Sequence, residues 1–182
     1  FVARPSAYSC ENVHKTVMTL IYRSTQLPKA EISDKVACDG GNAMTDDIKV
    51  QNVAHVVFEG FTTLDMYGPV QAFASCRVPD GDGGWLRHYN QFTVGVSSAA
   101  VKSGEGPSTM ADYSFEDAPD FDILLIPGGF GTRAAVSDDS LLGKIEAMSG
   151  KADVTATVCT GSAVLARTGL LDGRPATSNK VA

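Results

Sequence analysis

Asp122-Ile123-Leu124-Leu125-Ile126-Pro127-Gly128-Gly129 opens the stretch that decides the fold, and Val154-Thr155-Ala156-Thr157-Val158-Cys159-Thr160-Gly161-Ser162 closes it. Each begins as a short apolar and β-branched run, as a strand buried on both faces would, and each is stopped by small, turn-forming residues. Between them Leu141, Leu142, Ile145 and Met148 recur at helical spacing, with Asp138 and Asp139 in the first turn and Gly150 placed as a C-cap. Strand, helix, strand over this length is a βαβ unit, so the sheet is at least partly parallel.

Working outward, Val53 to Phe58 reads as another buried strand, interrupted only by His55 and ending at Gly60, and Phe92 to Val96 as a shorter one. Val101 and a Gly/Pro/Ser-rich stretch follow. Gly161 to Arg167 reads as a short buried helix closed by Gly169. Pro79-Asp80-Gly81-Asp82-Gly83-Gly84 is a surface loop without the later oxygen ligands of a calcium loop. Residues 1–43 show no sustained periodicity apart from the apolar stretch Val17 to Tyr22. They are read as a poorly ordered leader of uncertain origin, loosely like a presequence in its basic residues Arg4, Lys15, Arg23 and Lys29. Met44 looks like a natural start, which gives a single domain over 44–182.

At 182 residues the chain can bury one sizeable core. A net charge of −6 argues against a broad nucleic-acid or anionic-membrane footprint, and no apolar run approaches the ~18 residues of a membrane span. Cys10, Cys38, Cys76 and Cys159 form no C-x-x-C, and no histidine stands at a ligand-like spacing from them, so neither a metal nor a cofactor is expected. Reduced thiols and a cytoplasmic protein are the expectation.

In an open parallel sheet, ligands bind beyond the carboxyl ends of the strands. Three such ends carry unusual sequence: Gly60 to Pro69, Pro127 to Arg133, and Cys159 to Ser162. Cys159 sits where a strand gives way to a helix, whose N-terminus favours thiolate over thiol. Gly161 and Ser162 allow the sharp turn of a nucleophile elbow. Taken alone, Cys159 reads equally as an inert packed cysteine; an acid and a glycine loop on the same edge favour the reactive reading. Gly128 and Gly129 are expected to aim backbone N–H groups at developing negative charge, with Gly161 completing the binding surface. Asp65, taken alone, reads as a helix cap. Gly129-Phe130-Gly131-Thr132-Arg133-Ala134 fits a dinucleotide fingerprint, but Val158 and Cys159 occupy the place of its ribose-binding acid, so that reading is rejected.

Three motifs together carry a resemblance: Gly60-Phe61-Thr62-Thr63-Leu64-Asp65 with Gly68-Pro69; Asp122 to Gly129; and Val158-Cys159-Thr160-Gly161-Ser162 with Gly169-Leu170-Leu171-Asp172-Gly173-Arg174. From about Val53 to Ala182 the chain resembles the ThiJ/PfpI superfamily of the class I glutamine-amidotransferase-like fold. That implies a flavodoxin-like three-layer α/β sandwich with a mostly parallel sheet, here lacking the family's C-terminal part. The L-D-x-x-G-P turn and the C-T-G elbow are most similar to isonitrile hydratases and to the sensor domains of certain transcription regulators. The resemblance implies Cys159 as nucleophile through a thioimidate, Asp65 managing protons and water, and Thr160 supporting the site. It also implies a small-molecule substrate, a homodimer, and no nucleic acid bound through this domain. A ligand-sensing domain, or a redox or carbonyl-stress protein with a reactive Cys159, is the alternative. Protease-like members carry histidine where this chain has Thr160, so no peptidase is expected, and Asn179 stands where many relatives have histidine.

Overall fold

The computed structural model describes residues 20–23 as backbone, and residues 50–80 and 82–179 with their side chains. In chain order the elements are β1 (Leu20–Arg23), β2 (Gln51–Val56), α1 (Thr63–Ser75), β3 (Arg77–Pro79), β4 (Trp85–Arg87), β5 (Tyr89–Gly95), β6 (Ala100–Lys102), β7 (Ser108–Met110), β8 (Tyr113–Ser114), β9 (Ile123–Ile126), α2 (Thr132–Ala135), α3 (Asp139–Lys151), β10 (Val154–Thr157) and α4 (Gly161–Arg167). The main sheet runs β1-β10-β9-β2-β5-β8. All neighbours from β10 to β8 pair in parallel, and β1 joins β10 antiparallel. Two small hairpins, β3–β4 and β6–β7, stand outside it.

Every other residue of β2 and β9 faces the opposite side, and both sides are apolar because both are covered. Ala54, Val56, Leu124 and Ile126 join the larger core with Leu141, Ile145 and Met148 of α3 and Val164 and Leu165 of α4. Val53 and Leu125 point the other way, toward Phe73 of α1. This is the expected three-layer α/β sandwich with its mostly parallel sheet. His55 falls on the α1 side, fully buried, edge-on to Phe73. It is a core residue, as its place inside a strand predicts.

The helix over 139–151 begins where its acids indicate: the Asp138 side chain accepts from the Leu141 N–H at 3.0 Å. It ends two residues later than expected. Gly150 lies inside α3 on its exposed side, and Ala152 is the C-cap, its N–H bonding the Met148 carbonyl. β1 falls within the segment read as a leader, an element the periodicity did not place; the remainder of residues 1–43, and Met44, lie outside the described residues. No described helix is long and apolar enough to cross a membrane.

Strand order reverses beside β2: the chain leaves it through α1 to reach β5 on one side, then returns to place β9 on the other. The carboxyl ends of β2, β9 and β10 therefore open onto one crevice, the position at which doubly wound sheets bind ligands.

Candidate active site

The loops following β2 and β9 are tied directly together. Thr62 N–H donates to the Gly128 carbonyl at 2.9 Å, and Gly131 N–H to the Gly60 carbonyl at 3.0 Å. The approach is so close that only glycine fits. A Cβ on Gly131 would stand 2.0 Å from the Glu59 carbonyl oxygen, and one on Gly128 would stand 2.6 Å from the Thr160 nitrogen and 2.8 Å from Asp65 Oδ2. The glycines that mimic a dinucleotide fingerprint are thus explained by loop-on-loop packing.

Cys159 has a φ of 52°, the single non-glycine residue with positive φ among those described. Left-handed backbone at a side chain larger than glycine is costly and persists only where the surroundings hold it. They do so here: Gly161 N–H closes the turn on the Val158 carbonyl at 2.9 Å, and Ser162 Oγ donates to the Cys159 carbonyl at 3.1 Å. Beneath the turn, a Cβ on Gly161 would lie 2.4 Å from the Ile126 carbonyl oxygen. Cys159 is half-buried and forms no disulfide among the described residues, and Asn179 Nδ2 donates to its sulfur at 3.2 Å. This is the strand-to-helix elbow that the small residues predict.

Asp65 stands in the first turn of α1 yet does not cap it. Its Oδ2 accepts from the Gly128 N–H at 3.1 Å, and the Cys159 side chain is near enough to influence its titration. Burial raises the Asp65 carboxyl above the ordinary aspartate range; the Gly128 bond and the Cys159 side chain oppose that, and the charge of Glu105 adds to it. Pro69, one turn further along α1, has no N–H to offer the Asp65 carbonyl, so the proline of the Gly68-Pro69 pair loosens the helix at this residue.

The N–H groups of the glycines expected to face developing negative charge are each bonded within the protein. Gly128 N–H is taken by Asp65, Gly129 N–H by Thr160 Oγ1 at 3.0 Å, and Gly161 N–H by Val158. Each is committed inside the protein, so these residues shape the site without lending free donors. Thr160 is buried and acts as the junction: its Oγ1 accepts from Gly129 and meets Thr132 Oγ1 at 3.2 Å, while Thr132 donates to the Gly129 carbonyl at 2.7 Å. A cleft of ≈180 Å³ beside the elbow is bordered by Gly129, Thr132, Arg133, Thr160, Ser178 and Asn179. No group of three or more His, Cys, Asp or Glu side chains able to hold a metal occurs among the described residues.

Sequence reading missed Thr132 and Glu105. Thr132 lay within the rejected fingerprint. Glu105 lies in a Gly/Pro/Ser-rich stretch 42 residues from Thr63, whose N–H and hydroxyl both donate to its carboxylate at 2.8 Å; nothing local marks that pairing.

The family model of the DJ-1/PfpI family matches residues 51–182, the part of the chain that carries the parallel strands, the elbow and Asp65. The chain belongs to the DJ-1/PfpI family. Within it, the chain is 31% identical over 127 residues to isonitrile hydratase of Pseudomonas putida, covering 70% of this chain and 51% of that protein. It is 25% identical over 123 residues to the HTH-type transcriptional regulator GbdR of Pseudomonas aeruginosa, covering 68% of this chain and 32% of the regulator. A crystal structure of a ThiJ/PfpI family protein from Pseudomonas syringae superimposes with a TM-score of 0.62 at 28% identity, covering 82% of this chain and 57% of that one. The chain therefore spans about half the length of isonitrile hydratase and a third of the regulator.

Proposed function

We propose that this DJ-1/PfpI member is a cysteine-dependent, hydratase-like lyase that converts a small isonitrile to an N-substituted formamide. The observation that carries the reading is the left-handed Cys159 elbow with Asp65 beside it: a Cβ on Gly128 would meet both Thr160 N at 2.6 Å and Asp65 Oδ2 at 2.8 Å, and burial raises the Asp65 carboxyl above its ordinary range. The sulfur electron pair adds to the isonitrile carbon, and Asp65 gives that carbon a proton, leaving a thioimidate and a carboxylate. The carboxylate then takes a proton from water as the water oxygen adds to the same carbon, and Asp65 passes that proton to the nitrogen, becoming a carboxylate again. The C–S bond breaks with its electrons returning to sulfur, the new hydroxyl loses its proton to Asp65, and the formamide leaves. The first step puts negative charge on carbon, where a proton donor serves better than an oxyanion site. Committed N–H groups at Gly128, Gly129 and Gly161 fit this chemistry better than acyl transfer.

The test is formamide production from an alkyl isonitrile, followed by mass spectrometry. Cys159→Ala is expected to abolish it, and a folded wild-type sample that never turns over would sink the proposal. The similarity to GbdR favours a second reading, a non-catalytic ligand-sensing domain. Small-molecule stabilisation that survives Cys159→Ala would select it. Cytoplasmic residence and a homodimer belong to the same proposal: the free thiols Cys76 and Cys159 fit the first, and sedimentation tests the second.

A further inference from the structure

We propose that Glu105 is a positioning residue of this site: from the turn of the β6–β7 hairpin it caps α1 and so fixes where Asp65 meets Cys159. The inference rests on the reading of Cys159 and Asp65 as the reacting pair.

Helix α1 begins without a cap of its own. Thr62 occupies the N-cap position but makes no side-chain bond to the helix. The missing acceptor comes from Glu105, whose Oε2 takes both the N–H and the hydroxyl proton of Thr63 at 2.8 Å. Thr63 is two residues from Asp65, on the same first turn. The hairpin is held against this turn along its length. Gly60 N–H donates to the Lys102 carbonyl and Gly104 N–H to the Phe61 carbonyl, both at 2.8 Å. Lys102 N–H donates to Glu59 at 3.2 Å, and the Tyr67 hydroxyl meets Thr109 Oγ1 at 2.9 Å. A structure of this kind serves more than helix stability, because the helix it caps carries the acid of the site.

Charge acts at the same turn. The first-turn N–H groups of a helix favour an anion, which alone would push Asp65 toward its carboxylate. Glu105 takes up one of those N–H groups and sets a carboxylate beside the turn; the Thr63 bonds hold Glu105 itself below the usual glutamate range, as an anion. The titratable groups acting on Asp65 are Cys159 from the elbow and Glu105 from the hairpin, with Gly128 N–H donating to its carboxyl, while Glu59 is turned to Lys102. Glu105 thereby favours an Asp65 that keeps its proton for delivery to substrate.

The experiment is the rate of iodoacetamide labelling of Cys159 against pH, read by peptide mass spectrometry on the full chain, with urea unfolding alongside. Wild type, Glu105→Gln, Glu105→Ala and Asp65→Asn are compared. The amide of Glu105→Gln can still accept from Thr63 but carries no charge. Its urea midpoint is expected near wild type, while the inflection that Asp65→Asn removes moves to lower pH. Glu105→Ala is expected to move the inflection the same way and to lower the midpoint as well. A Glu105→Gln profile that superimposes on wild type, with Asp65→Asn still altering it, overturns the role of Glu105 alone. An Asp65→Asn profile that superimposes on wild type overturns both this inference and the pairing beneath it.

Discussion

Acidification is expected to weaken this fold through His55, and the size of the effect can be worked out. The ring is fully buried between β2 and α1, and burial lowers its pKa from 6.5 to about 4, against a smaller opposing contribution from Gln91. Gln91 uses its amide to donate to the Val70 carbonyl at 3.1 Å, so its Oε1, 2.9 Å from His55 Nε2, accepts the ring proton there. Nδ1 is left buried without a partner. A second proton would have to sit on that nitrogen, uncompensated. The unfolded chain, titrating near 6.5, binds a proton that the native state refuses until about 4. Stability is therefore full above 6.5 and is lost as pH falls toward 4. The linkage integral gives a loss of about 2 kcal/mol by pH 5, approaching roughly 3 kcal/mol below pH 4. Urea unfolding at pH 7 and pH 5 measures it, against His55→Leu to subtract the carboxylates that titrate in the same range. Wild type should lose about 2 kcal/mol more than the variant, or roughly 1 M in urea midpoint at ordinary m-values. The variant also strands Gln91 Oε1, which lowers its stability at every pH but leaves the slope alone. Parallel losses in the two proteins would mean that His55 does not set the acid sensitivity.

Gly128→Ala should be as damaging to the site as a direct lesion. Its Cβ meets the Thr160 backbone nitrogen at 2.6 Å and Asp65 Oδ2 at 2.8 Å, neither of which can yield without moving the elbow or the acid, so Cys159 labelling should lose its dependence on Asp65. Asp65→Asn should stabilise the protein at neutral pH while impairing formamide production. With its carboxyl raised by burial, the stability contributed by Asp65 is fully present below 3.8 and is lost as pH rises through the folded value. An amide keeps the Gly128 bond and never ionises, so unfolding midpoints at neutral pH decide the point; a midpoint below wild type counts against it.

Much of the fold was legible because its signals are local. Ile123 to Ile126 and Val154 to Thr157 are strand-like in composition and bounded by turn residues, and the helix between them shows its buried side as Leu141, Leu142, Ile145 and Met148. The boundaries were less legible. Gly150 looked like a stop, but nothing lies within 4 Å of where its Cβ would be, and the helix simply runs past it. The cysteine elbow was readable from the small residues after Cys159. Its left-handed backbone was not, since a positive φ at cysteine is imposed by Ile126, Val158 and Ser162 around it.

The parallel α/β sheet is readable in the chain alone because periodicity and turn residues act over a few positions, and the resemblance of three motifs adds the family and the loops proposed to hold the chemistry. Only the tertiary structure decided what each polar group in those loops is bonded to. Folding turned Gly128, Gly129 and Gly161 from free donors into committed ones, set the Asp65 carboxyl on the Gly128 N–H and not at the helix cap, and brought Glu105 to the start of α1. Those outcomes depend on which loops the strand order brings within 3 Å of one another, and a hydrogen bond between residues 42 or 63 positions apart leaves no mark on either neighbourhood.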